Sequence, residues 1–125
     1  MRRSVLSSTF FGLMTLLLAM AYSGRAEALS ADDLLGRWCG ADSDYEFTRE
    51  QLTVKFHSGQ SQVLPIRSIE VLPDRIRVYW NIERPGVKPE DLSTSFYDFD
   101  AAGRNMAQMA NKGGDMGPRI PFHRC

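Results

Sequence analysis

The amino-acid sequence predicts an all-β domain, a small antiparallel up-and-down barrel of about seven or eight strands closed by one disulfide. Three observations lead there. Past Gly40 the chain breaks into short runs of alternating or β-rich residues, separated by clusters of Gly, Pro, Asn, Asp and Ser. Beyond one opening turn, no stretch carries the apolar period of a helix. The chain has two cysteines, Cys39 ahead of these runs and Cys125 at its last position. If they pair, the first and last strands are neighbours, and a meander whose ends meet is a ring.

Residues 1–28 have the three parts of a cleavable signal peptide. Arg2 and Arg3 give the positive start, Phe10 to Ala21 the apolar run, and Ala26-Glu27-Ala28 a small-x-small cleavage site. The apolar run spans about 12 residues, short of the roughly 20 needed to cross a bilayer as a helix. Cleavage after Ala28 is therefore expected, leaving residues 29–125 as one periplasmic or secreted domain that does not remain in the membrane. The full chain balances 15 basic against 15 acidic residues, and losing Arg2, Arg3, Arg25 and Glu27 leaves 12 and 14, a formal charge of −2. Without a basic surplus to meet phosphate backbones, nucleic-acid binding is not expected. A monomer is expected.

In an oxidising compartment, two cysteines read most simply as one disulfide. Closing a loop of about 87 residues is worth at most about 4.6 kcal/mol in chain entropy. A redox or metal-binding thiol pair is the other reading, but no Cys-x-x-Cys spacing and no third cysteine accompany it.

Ser30 to Gly36 predicts one helical turn, with Ser30 as its cap, Asp32 and Asp33 at its positive end and Gly36 as its stop. The turn leads into Gly36-Arg37-Trp38-Cys39-Gly40. Asp42-Ser43-Asp44 is expected to turn, and Tyr45 to Thr48 to begin a strand. Leu52 to Phe56 alternates strictly, sending Leu52, Val54 and Phe56 inward. After a hairpin loop at His57 to Ser61, Val63 to Leu72 is a strand whose apolar phase slips: Leu64 and Ile66 share one parity, Ile69 and Val71 the other. A bulge or bend near Arg67-Ser68 is expected. Arg75 to Asn81 puts Ile76, Val78 and Trp80 on one face and Arg75, Arg77 and Tyr79 on the other. Glu83 to Asp91, broken by Pro85, Gly86 and Pro89, is either the rim of a site or a plain surface excursion. Ser93 to Asp100 is a strand, Met106 to Ala110 one of weaker propensity, Lys112 to Pro118 a glycine-rich loop, and Arg119 to Cys125 the closing strand.

Gly36-x-Trp38 after a helical turn resembles the opening signature of the lipocalins and related calycin barrels. In that family the tryptophan sits at the closed end of the barrel beneath an arginine from a strand near the C-terminus. The resemblance implies a lipocalin-like fold with Trp38 and Arg124 as the cap of one barrel end; a Cys39 to Cys125 bond would bring these neighbours together. Tyr97-Asp98 loosely echoes the family's second motif. In size and compartment the chain is similar to the small periplasmic inhibitors of secreted metalloproteases, which act through an extended N-terminal tail; here Leu29 to Ala31 precede the turn.

Chemistry-bearing motifs are scarce. The mature chain has His57 and His123, with no Gly-x-Ser-x-Gly and no His-Glu-x-x-His. Lys112-Gly113-Gly114 lacks the spacing of a phosphate-binding loop. Asp98 and Asp100 share one strand face but fall at its end, where carboxylates are usually solvated. Met106, Met109, Met116 and His123 have copper(I)-type donors, yet Met106 and Met109 lie on opposite strand faces and read as packing. Neither enzymatic activity nor a cofactor nor a bound metal is expected. The expectation is a non-enzymatic binding protein for a small apolar ligand or an exported protein partner, with Tyr79, Trp80, Tyr97, Arg75 and Arg77 as candidate contacts. The alternatives are an inhibitor of an exported protease and a cell-envelope domain without a pocket.

Overall fold

The computed structural model describes residues 28–82, 84–88, 92–112 and 115–125. The expected signal peptide, apart from Ala28, lies outside the described residues. A short 3-10 turn at Ala31–Asp33 opens the described chain. The strands then follow as β1 (Gly36–Gly40), β2 (Ser43–Phe47), β3 (Gln51–Phe56), β4 (Ser61–Val71) and β5 (Ile76–Trp80). They continue as β6 (Thr94–Phe99), β7 (Asn105–Lys112), β8 (Asp115–Met116) and β9 (Ile120–Arg124).

Each strand from β1 to β7 pairs antiparallel with the next, β7 pairs with β9, and β9 returns to β1 with Trp38 opposite Arg124. Eight strands thus close an up-and-down barrel. Strand β8 is a hairpin extension on the end of β7, with Asn111 opposite Met116. Cys39 and Cys125 are disulfide-bonded with their Cα atoms 5.1 Å apart, so the covalent seam lies on the strand pair that closes the ring.

The expected strands are present, with three differences at their ends. Strand β2 starts at Ser43, because Ser43 and Asp44 pair with Phe56 and Lys55 instead of turning. Strand β7 runs on to Lys112 despite its modest propensity, because its whole length is paired on the β6 side or beyond and pairing overrides intrinsic preference. The glycine-rich loop contains β8. The phase slip in β4 is a register shift between Ile66 and Ser68 against β5, as the alternation requires. With Arg67 as the extra residue, Ile66 faces Trp80 and Ile69 faces Val78, so both halves of the strand point their apolar side chains inward.

Alternation fills the interior. Trp38, Phe47, Leu52, Val54, Ile76, Val78, Trp80, Tyr97, Met106 and Phe122 form one buried cluster together with Leu34 from the opening turn. Phe56, also of inward parity, is 39% exposed because it ends β3 at the opposite rim. The two barrel ends are therefore unlike. One is plugged by the 3-10 turn and Trp38, and the other carries the loop that joins β5 to β6. The outer wall is unusual at one place, where Phe96 and Met109, paired across β6 and β7, are buried although they point away from the interior.

Candidate functional site

The plugged end is built around Arg124. Its guanidinium carbon lies 3.8 Å from the centre of the Trp38 ring. Its Nη1 donates to the Leu35 carbonyl at 2.7 Å and its Nη2 to the Asp33 carbonyl at 2.8 Å. These oxygens belong to the end of the helical turn, where no further amide follows to bond them. The Trp38 Nε1–H donates to the Leu34 carbonyl at 2.8 Å, so indole and guanidinium together hold the turn in the barrel end. Asp33 in turn accepts from the Ser30 amide at 2.8 Å. Burial draws the Arg124 pKa below its ordinary value, and Asp33 acts in the opposite direction. Gly36 has φ of 104°, and a Cβ there would lie 2.9 Å from Arg124 Nη1, so the glycine leaves room for the arginine that the tryptophan needs. Between Trp38, Arg124 and the turn all of this is packing; the recess at this end, about 570 Å³, lies outside the plug between Leu29, Pro73 and Ala102.

A line of polar groups crosses the interior above that plug. The Trp80 Nε1–H donates to Ser95 Oγ at 3.1 Å, and the Tyr97 hydroxyl donates to Gln108 Oε1 at 3.4 Å. Burial, with Tyr45 nearby, pushes the Tyr97 hydroxyl well above its ordinary pKa. Tyr45 is raised by burial and partly relieved by Gln108. Both phenols therefore stay neutral at ordinary pH, and the polar line satisfies buried donors.

At the open end, β5 runs out through Trp80 to Ile82, which packs against the core. The described residues of the connection to β6 border a recess of about 350 Å³ there. Trp80, Ile82, Val87 and Leu92 give it apolar walls, and Arg84, Ser93 and Lys112 stand at its polar edge. On the other side of the same loop, Arg67 and Asn81 join Trp80 in a second, more open recess of about 610 Å³. A third recess, about 600 Å³, lies beside Phe99, Met106 and Phe122. It is more open still, and the carboxylates at its edge are occupied: Asp98 faces Arg75 and Arg119 at 3.3 and 2.7 Å, and Asp100 accepts from the Arg104 and Asn105 amides and the Asn105 side chain. Asp98 and Asp100 thus have separate partners and do not form an acid pair.

The expected contact residues separate into two groups. Trp80 lines both recesses at the mouth, whereas Tyr97 is fully enclosed. Arg75, Arg77 and Tyr79 lie on the outer wall, away from the mouth. Met106 is in the interior and Met109 on the outer wall, which keeps the thioethers apart. Sequence reasoning missed Leu92 and Lys112 as mouth residues, and reached Arg84 and Val87 only as part of the Glu83 to Asp91 connection, a rim or a surface excursion. The signal that pointed near them was the long Pro- and Gly-broken connection itself; that Arg84, Val87 and Leu92 share a recess with Trp80 is encoded by no local pattern. No family model, curated protein or solved structure matches this chain.

Proposed function

We propose that this is an exported, lipocalin-like binding protein that takes a small ligand with an apolar body and an anionic group at the mouth of the barrel. The observation that carries this reading is the recess over Trp80, where four apolar side chains and two cations meet in about 350 Å³. That volume is at the small end of ligand sites, and their usual composition is a mostly apolar lining with a few convergent polar groups. The filled interior favours the rim over the barrel's centre as the position for such a ligand. The disulfide accords with an oxidising compartment, and the signal-like residues 1–28 with export to the periplasm or beyond. Lipocalin kinship is supported by the Gly36-x-Trp38 opening, the Arg124 cap and the eight-strand meander. The inhibitor alternative is less favoured, because only Leu29 and Ser30 of the expected mature chain precede the 3-10 turn at Ala31–Asp33, a short tail to reach into a protease cleft.

The test uses 8-anilinonaphthalene-1-sulfonate, an apolar dye with one anionic group. The expected result is saturable binding with a blue-shifted emission and quenching of tryptophan fluorescence. Lys112→Glu or Arg84→Glu should weaken it about tenfold, the scale of losing one charge-assisted contact. Binding that neither variant alters would overturn the assignment of the mouth.

A further inference from the structure

The outer wall over β4, β5 and β6 carries a ladder in which arginines and aromatic rings alternate. Arg67 lies 5.6 Å from the centre of the Tyr79 ring, Arg77 lies 4.9 Å from Tyr79 and 5.0 Å from Phe96, and Arg75 lies 5.4 Å from Phe96. The fold places each rung. The bulge at Arg67 adds the residue that sets its side chain beside Tyr79, and the pairing of Arg77 with Phe96 joins β5 to β6. Guanidiniums held beside rings lose less freedom when they bind than mobile arginines do.

The charges on the ladder are only partly satisfied. Arg75 is matched by Asp98 at 3.3 Å. Arg77 donates through Nε to Thr94 Oγ1 at 3.1 Å, a neutral partner. Glu70, directly across from Arg77, accepts from the Tyr79 hydroxyl at 3.4 Å. Among the described residues neither Arg67 nor Arg77 forms an ion pair. Two guanidiniums on one strip, each without a carboxylate partner among the described residues, are a complement for carboxylates supplied from outside.

We propose that this strip is a docking surface for an extended, Asp/Glu-rich segment of a partner protein; it touches the mouth only where Arg67 edges the second recess, and shares no residue with the 350 Å³ recess lined by Val87, Ser93 and Lys112. A protein segment is the occupant favoured by the narrowness of the strip. A membrane surface or nucleic acid demands a broad basic field, and residues 29–125 carry a formal charge of −2. Carboxylates on alternate residues of an extended chain all project from one face, as the arginines do here.

The experiment is fluorescence anisotropy with a fluorescein-labelled octapeptide of alternating Glu and Val, using the oxidised protein at low salt. The expected result is saturable binding that weakens about tenfold or more in Arg67→Gln/Arg77→Gln, and that Arg49→Gln, at the plugged end, leaves unchanged. Because Arg77 also covers Phe96, Arg67→Glu serves as a second variant that leaves that cover in place; it too should weaken the peptide several-fold while the thermal melt is retained. Absence of peptide binding, equal binding by both variants, or equal competition by phosphatidylglycerol vesicles or duplex DNA at matched charge would each overturn the proposal.

Discussion

A single arginine holds three parts of the molecule together. Arg124 covers Trp38, closes the helical turn through the Asp33 and Leu35 carbonyls, and adjoins Cys125 of the disulfide. Arg124→Ala removes the cation from the ring and leaves two carbonyls unbonded; a loss of about 2–3 kcal/mol is expected from the hydrogen bonds to a charged group. Urea unfolding should register that loss, with a red shift in Trp38 emission as water reaches the indole. Near the opposite rim, His57 Nε2 lies 3.0 Å from Asp44 Oδ1. The contact raises the His57 pKa above 6.5, chiefly through the hydrogen bond to Asp44, and lowers that of Asp44 below 3.8, chiefly through the same bond. The histidine contribution is fully present below its unfolded pKa and lost as pH rises through the raised value; the aspartate contribution is present above 3.8 and lost as pH falls through the lowered one. His57→Gln should therefore lower the melting temperature most between these limits, near pH 5, and match the wild type in mildly alkaline solution. A difference that is constant with pH would remove the ion pair from the account. His57 is exposed and Asp44 partly so, and solvent screening keeps the effect small.

At the scale of elements, the β5, β6 and β7 wall differs from the rest of the barrel because it is packed on both faces. Inside are Ile76, Val78, Tyr97 and Met106; outside are Phe96 and Met109, covered by the stems of Arg75, Arg77 and Arg119. Thr94 and Ser95 are buried as well, so four successive residues of β6 are hidden, which is unlike a strand with one wet face. Phe96→Ala should consequently behave as a core truncation and cost about 2–4 kcal/mol, slightly below a fully enclosed phenylalanine. Val63→Ala, exposed on β4, is the control and should change the urea midpoint little. Alternation in Arg75 to Asn81 revealed which residues face out, but it assigns outward positions to solvent by default. That Phe96 is covered there follows from long arginine side chains on the neighbouring strand, a cross-strand fact that periodicity does not contain.

Over the whole molecule, one strand pair closes the ring. Every other neighbouring pair in the barrel joins strands adjacent or nearly adjacent in sequence, whereas β1 and β9 are brought together from opposite ends of the domain. The entropic penalty of that pairing is what the disulfide reduces. Cys39→Ser, or reduction of the bond, should cost about 2–5 kcal/mol. For a domain of this size that lowers the melting temperature by roughly 10 °C or more. An unchanged melt would show that the strand pairing alone secures the ring. Gly40 supports the same seam, because a Cβ there would lie 2.6 Å from the Phe122 ring and 2.7 Å from the Ser43 carbonyl.

While the cap of Trp38 by Arg124 was what the lipocalin resemblance implied, the sequence by itself determined the class of the fold, the inward faces of its strands, the slip at Arg67 and the pairing of Cys39 with Cys125. These are encoded by side-chain parity, by a phase change within one strand and by the only two cysteines in the chain, all of which are local patterns or forced choices. The tertiary structure alone decided that Tyr97 is enclosed while Trp80 is reachable, that Arg84, Leu92 and Lys112 share a recess with Trp80, and that Arg67, Tyr79, Arg77, Phe96 and Arg75 stand in one row. Each of those depends on register and shear between strands distant in sequence, and on where a loop of irregular backbone comes to rest, quantities set by packing across the barrel and not by any neighbouring residue along the chain.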